Sequence, residues 1–317
     1  MTGPGPGGRA DNGRVDPLRA AAFGDDPGAD VWRAAASDDP RERWLAAVVL
    51  GGQGRYAAAA TALHALVRSG DRVIASLAAS TLASHRRQLG GHAAARRLDA
   101  LALATAPADH PRAATDRDGV DAAGARADAL LGLAADAVGL GRPAVARRLL
   151  AAVEPRGWRA AVRRHWVAAE VELASGHAER AVRPAESAVR LAGAAGAVRH
   201  VLKSRLVLGA ALVVWGTPES VRRGARLLGC DLNHTDRHGL VSLSWPTALV
   251  LLTSSADRNP ADGGRLGELV TNALSCALRR ADPISRRIAA HSPWIPTALL
   301  RSGEPPNADP RTNFLTD

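Results

Sequence analysis

The chain has 317 residues, of which 46% are hydrophobic and 23% charged, and its formal net charge is +10. This apolar share is typical of a globular domain and excludes a wholly disordered protein. Aromatic residues make up only 3%, and strand-favouring residues are scarce beside Ala, Leu and Arg, which favour helices. The composition therefore predicts an all-helical protein with one or two domains.

The residue usage also indicates a cellular setting. Lys203 is the only lysine among 41 basic residues, a bias typical of a high-GC genome, so the arginine content alone says little about nucleic acid. Cys230 and Cys276 are too few for a disulfide framework, which predicts a reducing cytoplasm. We expect no signal peptide, and the longest apolar segments fall short of the roughly 20 residues of a membrane span. The sequence predicts a cytoplasmic protein without membrane contact.

Taken in chain order, the sequence divides into a lead, a helical region and a tail. Residues 1–40 lack sustained periodicity and predict a disordered lead with one short helix near residues 17–23. Helical segments then alternate with short Gly-containing breaks over residues 41–300. The widest break, residues 106–120, predicts a loop between two sub-blocks, 41–105 and 121–300. Residues 301–317 predict a flexible tail.

Five glycines lie between helical segments at spacings of 36, 51, 35 and 40 residues. They are Gly54, Gly90, Gly141, Gly176 and Gly216. Seven residues before them stand the small residues Ala47, Ala83, Ala134, Ala169 and Gly209. Twelve residues after them stand Leu66, Ala102, Val153, Ala188 and Leu228. Close helix crossings require small residues, so this pattern predicts repeated antiparallel helix pairs.

The pattern resembles the tetratricopeptide repeat, a helix-turn-helix unit of about 34 residues with small residues at the same offsets. The resemblance covers residues 41–230 and implies a right-handed α-solenoid of about five to six helix pairs. The repeats are divergent, since only the first unit has the aromatic residue after the turn, Tyr56. The large aromatic residue early in the first helix is shifted by one position, as Trp44 and Trp166.

In this family the first helix of each pair lines an inner groove that holds partner peptides, so the resemblance implies protein binding. The groove residues that it indicates are Arg163, Trp166, Glu170, Lys203 and Leu206. Arg163 and Lys203 occupy equivalent places in successive pairs, where some family members bind a peptide carboxylate. Trp166 and Leu206 stand where the polar partners of such a clamp belong, which favours an apolar peptide groove.

The positive charge is concentrated in one part of the chain, because residues 141–230 hold 16 basic and six acidic residues. Arginines follow the small residue of the second helix in four pairs. They are Arg96, Arg97, Arg147, Arg148, Arg183, Arg222 and Arg223. In a stacked array these seven residues would form an arginine ladder on the convex face. The ladder is either a solvated helix face or a surface for nucleic acid or an acidic protein, and few aromatic residues are present for base stacking.

One local cluster has the composition of a metal site. Cys230, His234 and His238 are spaced four residues apart, which would place a thiolate and two imidazoles on one helical face. Asn233, Asp236 and Gly239 instead favour a polar connection between repeats, so we predict no metal site and keep the three ligands as a weaker alternative. The chain has no phosphate-binding loop, dinucleotide-binding, nucleophile-elbow or zinc-protease motif, so we predict neither an enzyme nor a cofactor.

The sequence is therefore compatible with two functions. The sequence favours a non-catalytic protein-interaction adaptor or regulatory scaffold that binds a peptide or helix in the concave groove. The alternative is a transcription-associated regulator that binds nucleic acid or an acidic partner through the arginine ladder. The oligomeric state is left open by the sequence.

Overall fold

The computed structural model describes residues 16–108, 115–254 and 260–302, which form helices and turns without any strand. The helices are α1 Pro17–Phe23, α2 Trp32–Ala35, α3 Pro40–Gly52, α4 Tyr56–Leu66, α5 Arg72–Gln88, α6 His92–Thr105, α7 Ala122–Gly139, α8 Pro143–Ala151, α9 Trp158–Ala174, α10 Ala178–Ala194, α11 Val198–Trp215, α12 Pro218–Arg237, α13 Val241–Thr253, α14 Pro260–Arg279, α15 Pro283–Ala290 and α16 Leu299–Ser302. The prediction of an all-helical protein is confirmed for the described part of the chain.

Local sequence signals account for many helix boundaries. Pro143 and Pro218 begin α8 and α12, where proline removes no intrahelical hydrogen bond. The five predicted turn glycines all have positive φ, with values of 72°, 76°, 68°, 77° and 80° in chain order. This left-handed conformation is one that L side chains rarely adopt, which explains why glycine recurs at the turns.

The helices from α3 to α14 pack against their neighbours in sequence order. The odd-numbered helices also contact one another, from α3 with α5 through to α11 with α13. They therefore form an inner layer, with the even-numbered helices outside it.

The small residues predicted at helix crossings are buried there. Ala47, Ala83, Ala134 and Ala169 are each 0% exposed. At the fifth crossing, a Cβ added to Gly209 would lie 2.5 Å from the Leu228 side chain. The four alanines are therefore buried as expected, and the close approach that a small residue permits is seen at Gly209.

The first and last helices of the array meet. Helix α13 contacts α3, and the Ser242 hydroxyl on α13 donates to the Gly52 carbonyl at 2.7 Å. The Ala57 amide on α4 donates to the Arg280 carbonyl at 2.8 Å, and Arg86 on α5 pairs with Asp282 at 2.7 Å. These contacts close the inner layer of helices into a ring.

The segment after α15 strengthens this closure. The Ser292 hydroxyl donates to the Gly90 carbonyl at 3.3 Å, and the Trp294 ring lies 5.9 Å from the His92 ring. Ile295 is 4% exposed and shares a buried cluster with Tyr56 and other residues from both ends of the array. The segment therefore joins the last helices to the first ones.

The structure corrects the expectation of a disordered lead for residues 16–40. Helix α1 occupies the range expected for a short helix, Asp16 caps it, and Phe23 is 5% exposed with its ring 5.8 Å from that of Trp44. Arg19 pairs with Asp116 at 2.6 Å. Contacts with the rest of the fold stabilise this segment. Its helices are too short to show hydrophobic periodicity in the sequence.

Other parts of the expected lead, loop and tail lie outside the described residues. These parts are residues 1–15, 109–114 and 303–317. The described end of the loop folds as a turn in which the Asp116 carboxylate accepts from the amides of Asp118 and Val120. None of the described helices combines the length and apolar character needed to cross a bilayer.

Candidate functional site

An apolar groove opens between the inner faces of α9, α11 and α13 and has a volume of about 520 Å³. Three of the five predicted groove residues line it, namely Glu170, Lys203 and Leu206. The other lining residues are mostly apolar and are Val138, Gly139, Gly141, Leu173, Ala174, Val207, Ala210, Val214, Pro246, Val250 and Trp294. The structure therefore brings residues of two successive helix pairs to one surface.

Among the described residues that line this groove, the two charged side chains face each other. Lys203 Nζ lies 3.9 Å from Glu170 Oε1, and both side chains are about one third exposed. Val214 and Trp294 are 37% and 36% exposed, so large apolar surfaces remain open to solvent. An exposed apolar patch with a polar rim is characteristic of interaction sites.

Trp166 lines a second, smaller cavity and is absent from the lining of the apolar groove. Its indole Nε1 donates to the Ser204 hydroxyl on α11 at 2.8 Å, and its ring stacks on His200 with centroids 5.6 Å apart. Trp44 makes the corresponding contact earlier in the array, where its Nε1 donates to Thr81 at 3.0 Å. These two shifted aromatic residues thus link neighbouring inner helices.

The inner cavity has a volume of about 60 Å³ and is enclosed by the inner helices and α1. Of the predicted groove residues, Arg163 and Trp166 line this cavity instead of the apolar groove. The remaining lining residues are Phe23, Trp44, Val48, Ser80, Thr81, Ser84, His85, Asp128, Arg159, Arg199 and His200. The cavity is polar and strongly basic, whereas the groove is apolar.

Arg159 is held firmly at the wall of this cavity. Its Nε and Nη2 donate to the carbonyls of Asp118 and Gly119 at 2.6 and 3.1 Å, and its Nη1 donates to Asp128 at 2.6 Å. The guanidinium also stacks over the Phe23 ring at 5.2 Å. Arg159 therefore fixes α1 and the 118–119 turn to α9.

The other two arginines are less well compensated. Arg163 Nε lies 3.4 Å from Asp128, the carboxylate that already binds Arg159. Burial, together with repulsion from Arg163 and Arg159, lowers the pKa of Arg199 to about 10. Burial likewise lowers the pKa of Arg163, although Asp128 opposes the shift. The cavity holds three guanidinium groups and one carboxylate.

Two uncharged histidines also line the cavity. Burial and nearby arginines lower the pKa of His85 to about 3 and that of His200 well below its usual range. Both imidazoles are therefore neutral at pH 7, and the Nδ1 atom of each has no hydrogen-bond partner in the described structure.

Arg163 and Lys203 were predicted from the sequence, whereas Arg159 and Arg199 were not. A signal was present, because Arg159 and Arg199 both stand 17 residues before their turn glycine, one helical turn before Arg163 and Lys203. His85, His200 and Asp128 carried no such signal, since their roles depend on which helices meet.

Neither of two comparisons identifies a relative: no protein-family model matches this chain, and no curated protein matches its sequence.

All seven residues of the arginine ladder are exposed on the even-numbered helices, as predicted. Two of them have carboxylate partners: Arg147 pairs with Glu172 at 3.2 Å and Arg223 with Glu186 at 2.6 Å. The ladder is therefore a partly neutralised outer surface.

The interpretation of residues 230–238 as a polar connection is corrected, because α12 continues to Arg237 with His238 as its C-cap. The buried Asp231 pairs with Arg205 at 3.0 Å and fixes this part of the helix to α11. Cys230 and His234 are exposed. Across the described residues, no group of three or more His, Cys, Asp or Glu side chains is placed to hold a metal ion.

Proposed function

We propose that this protein is a non-catalytic adaptor or regulatory scaffold that binds a peptide or helix of a protein partner. The observation that carries this proposal is the apolar groove between α9, α11 and α13, with its exposed Val214 and Trp294 and its Glu170–Lys203 rim. A helix or extended peptide with apolar anchors fits such a groove.

We also propose that the array is a right-handed tetratricopeptide-like solenoid of about five to six pairs. The turn glycines, the buried small residues and the inner layer of odd-numbered helices support this assignment. A cytoplasmic setting is part of the proposal and is supported by two cysteines that are both free, Cys230 and Cys276.

Val214→Asp tests the groove directly. Val214 is 37% exposed, so a carboxylate at this position should leave the fold intact. An apolar side chain of a ligand would, however, bury that carboxylate without a counter-charge. We expect the variant to bind the partner at least about tenfold more weakly. Partners are captured from a native lysate with the wild-type protein and identified by mass spectrometry, and their affinities are then measured by calorimetry.

The matched control is Ile284→Asp, which changes an apolar side chain that is 57% exposed on α15, outside the groove. It should leave the partner affinity unchanged. Equal affinity of the Val214→Asp and wild-type proteins for every captured partner would rule out this groove as the binding surface.

A second candidate function is binding of nucleic acid through the arginine ladder, favoured by the exposure of all seven arginines on the outer layer. We expect the affinity for DNA or RNA to fall steeply as the salt concentration rises. A quadruple variant with Glu in place of Arg147, Arg148, Arg222 and Arg223 should lose this binding. The measurement is a fluorescence-anisotropy titration at several salt concentrations.

The control for the ladder is the same charge change elsewhere, at the exposed Arg279, Arg280, Arg286 and Arg287. Equal loss of binding in the two quadruple variants would show that the overall positive charge, and not the ladder, causes the binding. Binding that survives the ladder variant would exclude the ladder.

A further inference from the structure

The inner cavity carries more positive charge than the protein itself neutralises. Arg159, Arg163 and Arg199 stand against the single carboxylate of Asp128, so two positive charges are in excess at the cavity wall. Arg163 and Arg199 are partly shielded from solvent, with 21% of the Arg163 side chain exposed, and shielding a charge from water without a counter-charge is destabilising. The lowered pKa of Arg199 reflects the same burial and mutual repulsion.

Hydrogen-bond donors are also left unused at this wall. Arg159 uses three of its five N–H donors on Asp128 and two carbonyls, whereas the Arg199 side chain makes no hydrogen bond within the described structure. Among the described residues Arg163 forms an ion pair only with Asp128, at 3.4 Å from Nε, and Asp99 attracts it from farther away. Two guanidinium groups on adjacent inner helices therefore have free N–H groups at the cavity.

Neutral polar atoms around the cavity are unpaired as well. The side chains of Ser80, His85 and His200 are more than nine-tenths buried. The Ser80 hydroxyl and the Nδ1 atoms of both histidines have no hydrogen-bond partner among the described residues. Buried polar atoms without partners are rare in folded proteins. Several of them in one cavity indicate a ligand that supplies hydrogen-bonding atoms.

The size of the cavity limits what that ligand can be. A volume of about 60 Å³ has room for roughly four to six water-sized groups, since each needs at least about 10–15 Å³. Four oxygen atoms around one centre, as in phosphate, match this space. Guanidinium groups bind phosphate oxygens by paired, charge-assisted hydrogen bonds.

We propose that the inner cavity binds a phosphate-class oxyanion, held by Arg163 and Arg199 with Ser80, His85 and His200. A doubly charged anion balances the two excess positive charges. The ligand is either free inorganic phosphate or the phosphate end of a phosphomonoester whose remainder extends out of the cavity. Binding here does not depend on a protein partner, so failure of the proposed adaptor function leaves this site standing.

The test is a titration of the full chain with inorganic phosphate and with glycerol phosphate, at constant ionic strength set with chloride. We expect phosphate to raise Tm by several degrees once its concentration is far above Kd. Tighter binding of glycerol phosphate identifies the phosphomonoester as the source, and tighter binding of inorganic phosphate identifies the free ion. No change in Tm or heat with either ligand overturns the proposal.

Arg199→Met separates a ligand-binding role from a structural one. Removal of an uncompensated charge should raise Tm of the ligand-free protein, while the affinity for phosphate falls at least about tenfold. Arg97→Met, at an exposed position, should change neither quantity. An equal response to phosphate in the wild-type and Arg199→Met proteins would contradict the assignment.

A spectroscopic measurement on the wild-type protein needs no variant. Phosphate should shift the imidazole ¹⁵N and ¹H resonances of His85 and His200, because both rings line the cavity. The exposed His64 serves as the internal control. Shifts at His64 but not at the two cavity histidines would place the anion elsewhere and overturn the proposal.

Discussion

We expect Arg87→Met to lower the free energy of unfolding by about 3–5 kcal/mol, the usual cost of removing one partner of a buried ion pair. Arg87 lies at the end of α5 and donates to two carboxylates, Asp99 on α6 and Asp136 on α7, the latter at 2.9 Å. The two aspartate side chains are 1% and 0% exposed. The variant would leave both of them buried without their common counter-charge.

The destabilisation should depend on pH. Burial raises the pKa of Asp99 to about 7, against the pull of Arg87 and with help from Asp136. Because the folded state then holds this proton more tightly than the unfolded state, the contribution of Asp99 to stability falls as pH rises from about 4 to 7. Without Arg87 the pKa should rise further, so we expect a greater loss of stability at pH 8 than at pH 5.

Denaturant unfolding followed by circular dichroism at the two pH values measures both effects. Arg97→Met is the control, since Arg97 is exposed on α6 and should change stability by less than about 0.5 kcal/mol. A triple variant in which Arg87, Asp99 and Asp136 become Met, Leu and Leu should recover most of the loss. A single variant as stable as the wild type at pH 8 would show that the network contributes little.

The repeat register could be predicted because it rests on local geometry. A turn glycine and a small crossing residue recur with the period of the helix pair, and each position has the same requirement in each pair. Gly54, Gly141, Ala83 and Ala169 therefore take up in the structure the places that the spacing assigned to them.

The closure of the ring could not be predicted in the same way. The Ser242–Gly52 hydrogen bond joins residues 190 positions apart, and the Arg86–Ser285 contact joins residues 199 apart. Such contacts occur once in the molecule and leave no period in the sequence. The docking of Phe23 against Trp44 was missed for the same reason, since α1 has only seven residues.

The candidate site was predictable in part. Lys203 and Leu206 were found because helix pairs repeat, so one inner-groove position indicates the next. The division of Arg163 and Trp166 into a separate cavity depends on Asp128 and His200, which belong to two other inner helices. Only the folded array shows that those helices meet around one space.

The helix-crossing hypothesis makes a quantitative prediction about Gly209 and Leu228, which face each other in the pair α11–α12. Leu228→Ala should cost about 2–5 kcal/mol, because the residue is 0% exposed and its loss leaves a cavity. Gly209→Ala should cost about 1–3 kcal/mol from overcrowding, since its new Cβ would lie 2.5 Å from the Leu228 side chain.

The double variant distinguishes a true crossing pair from two independent buried sites. In the pair α5–α6 the same two positions are held by Ala83 and Ala102, both 0% exposed, so an alanine pair is already compatible with this geometry. We therefore expect Gly209→Ala with Leu228→Ala to cost less than the sum of the single changes, by at least about 1 kcal/mol. Chemical denaturation of the four proteins gives this coupling energy. Additive costs would mean that the two residues do not share one contact, and the repeat register would then fail at α11–α12.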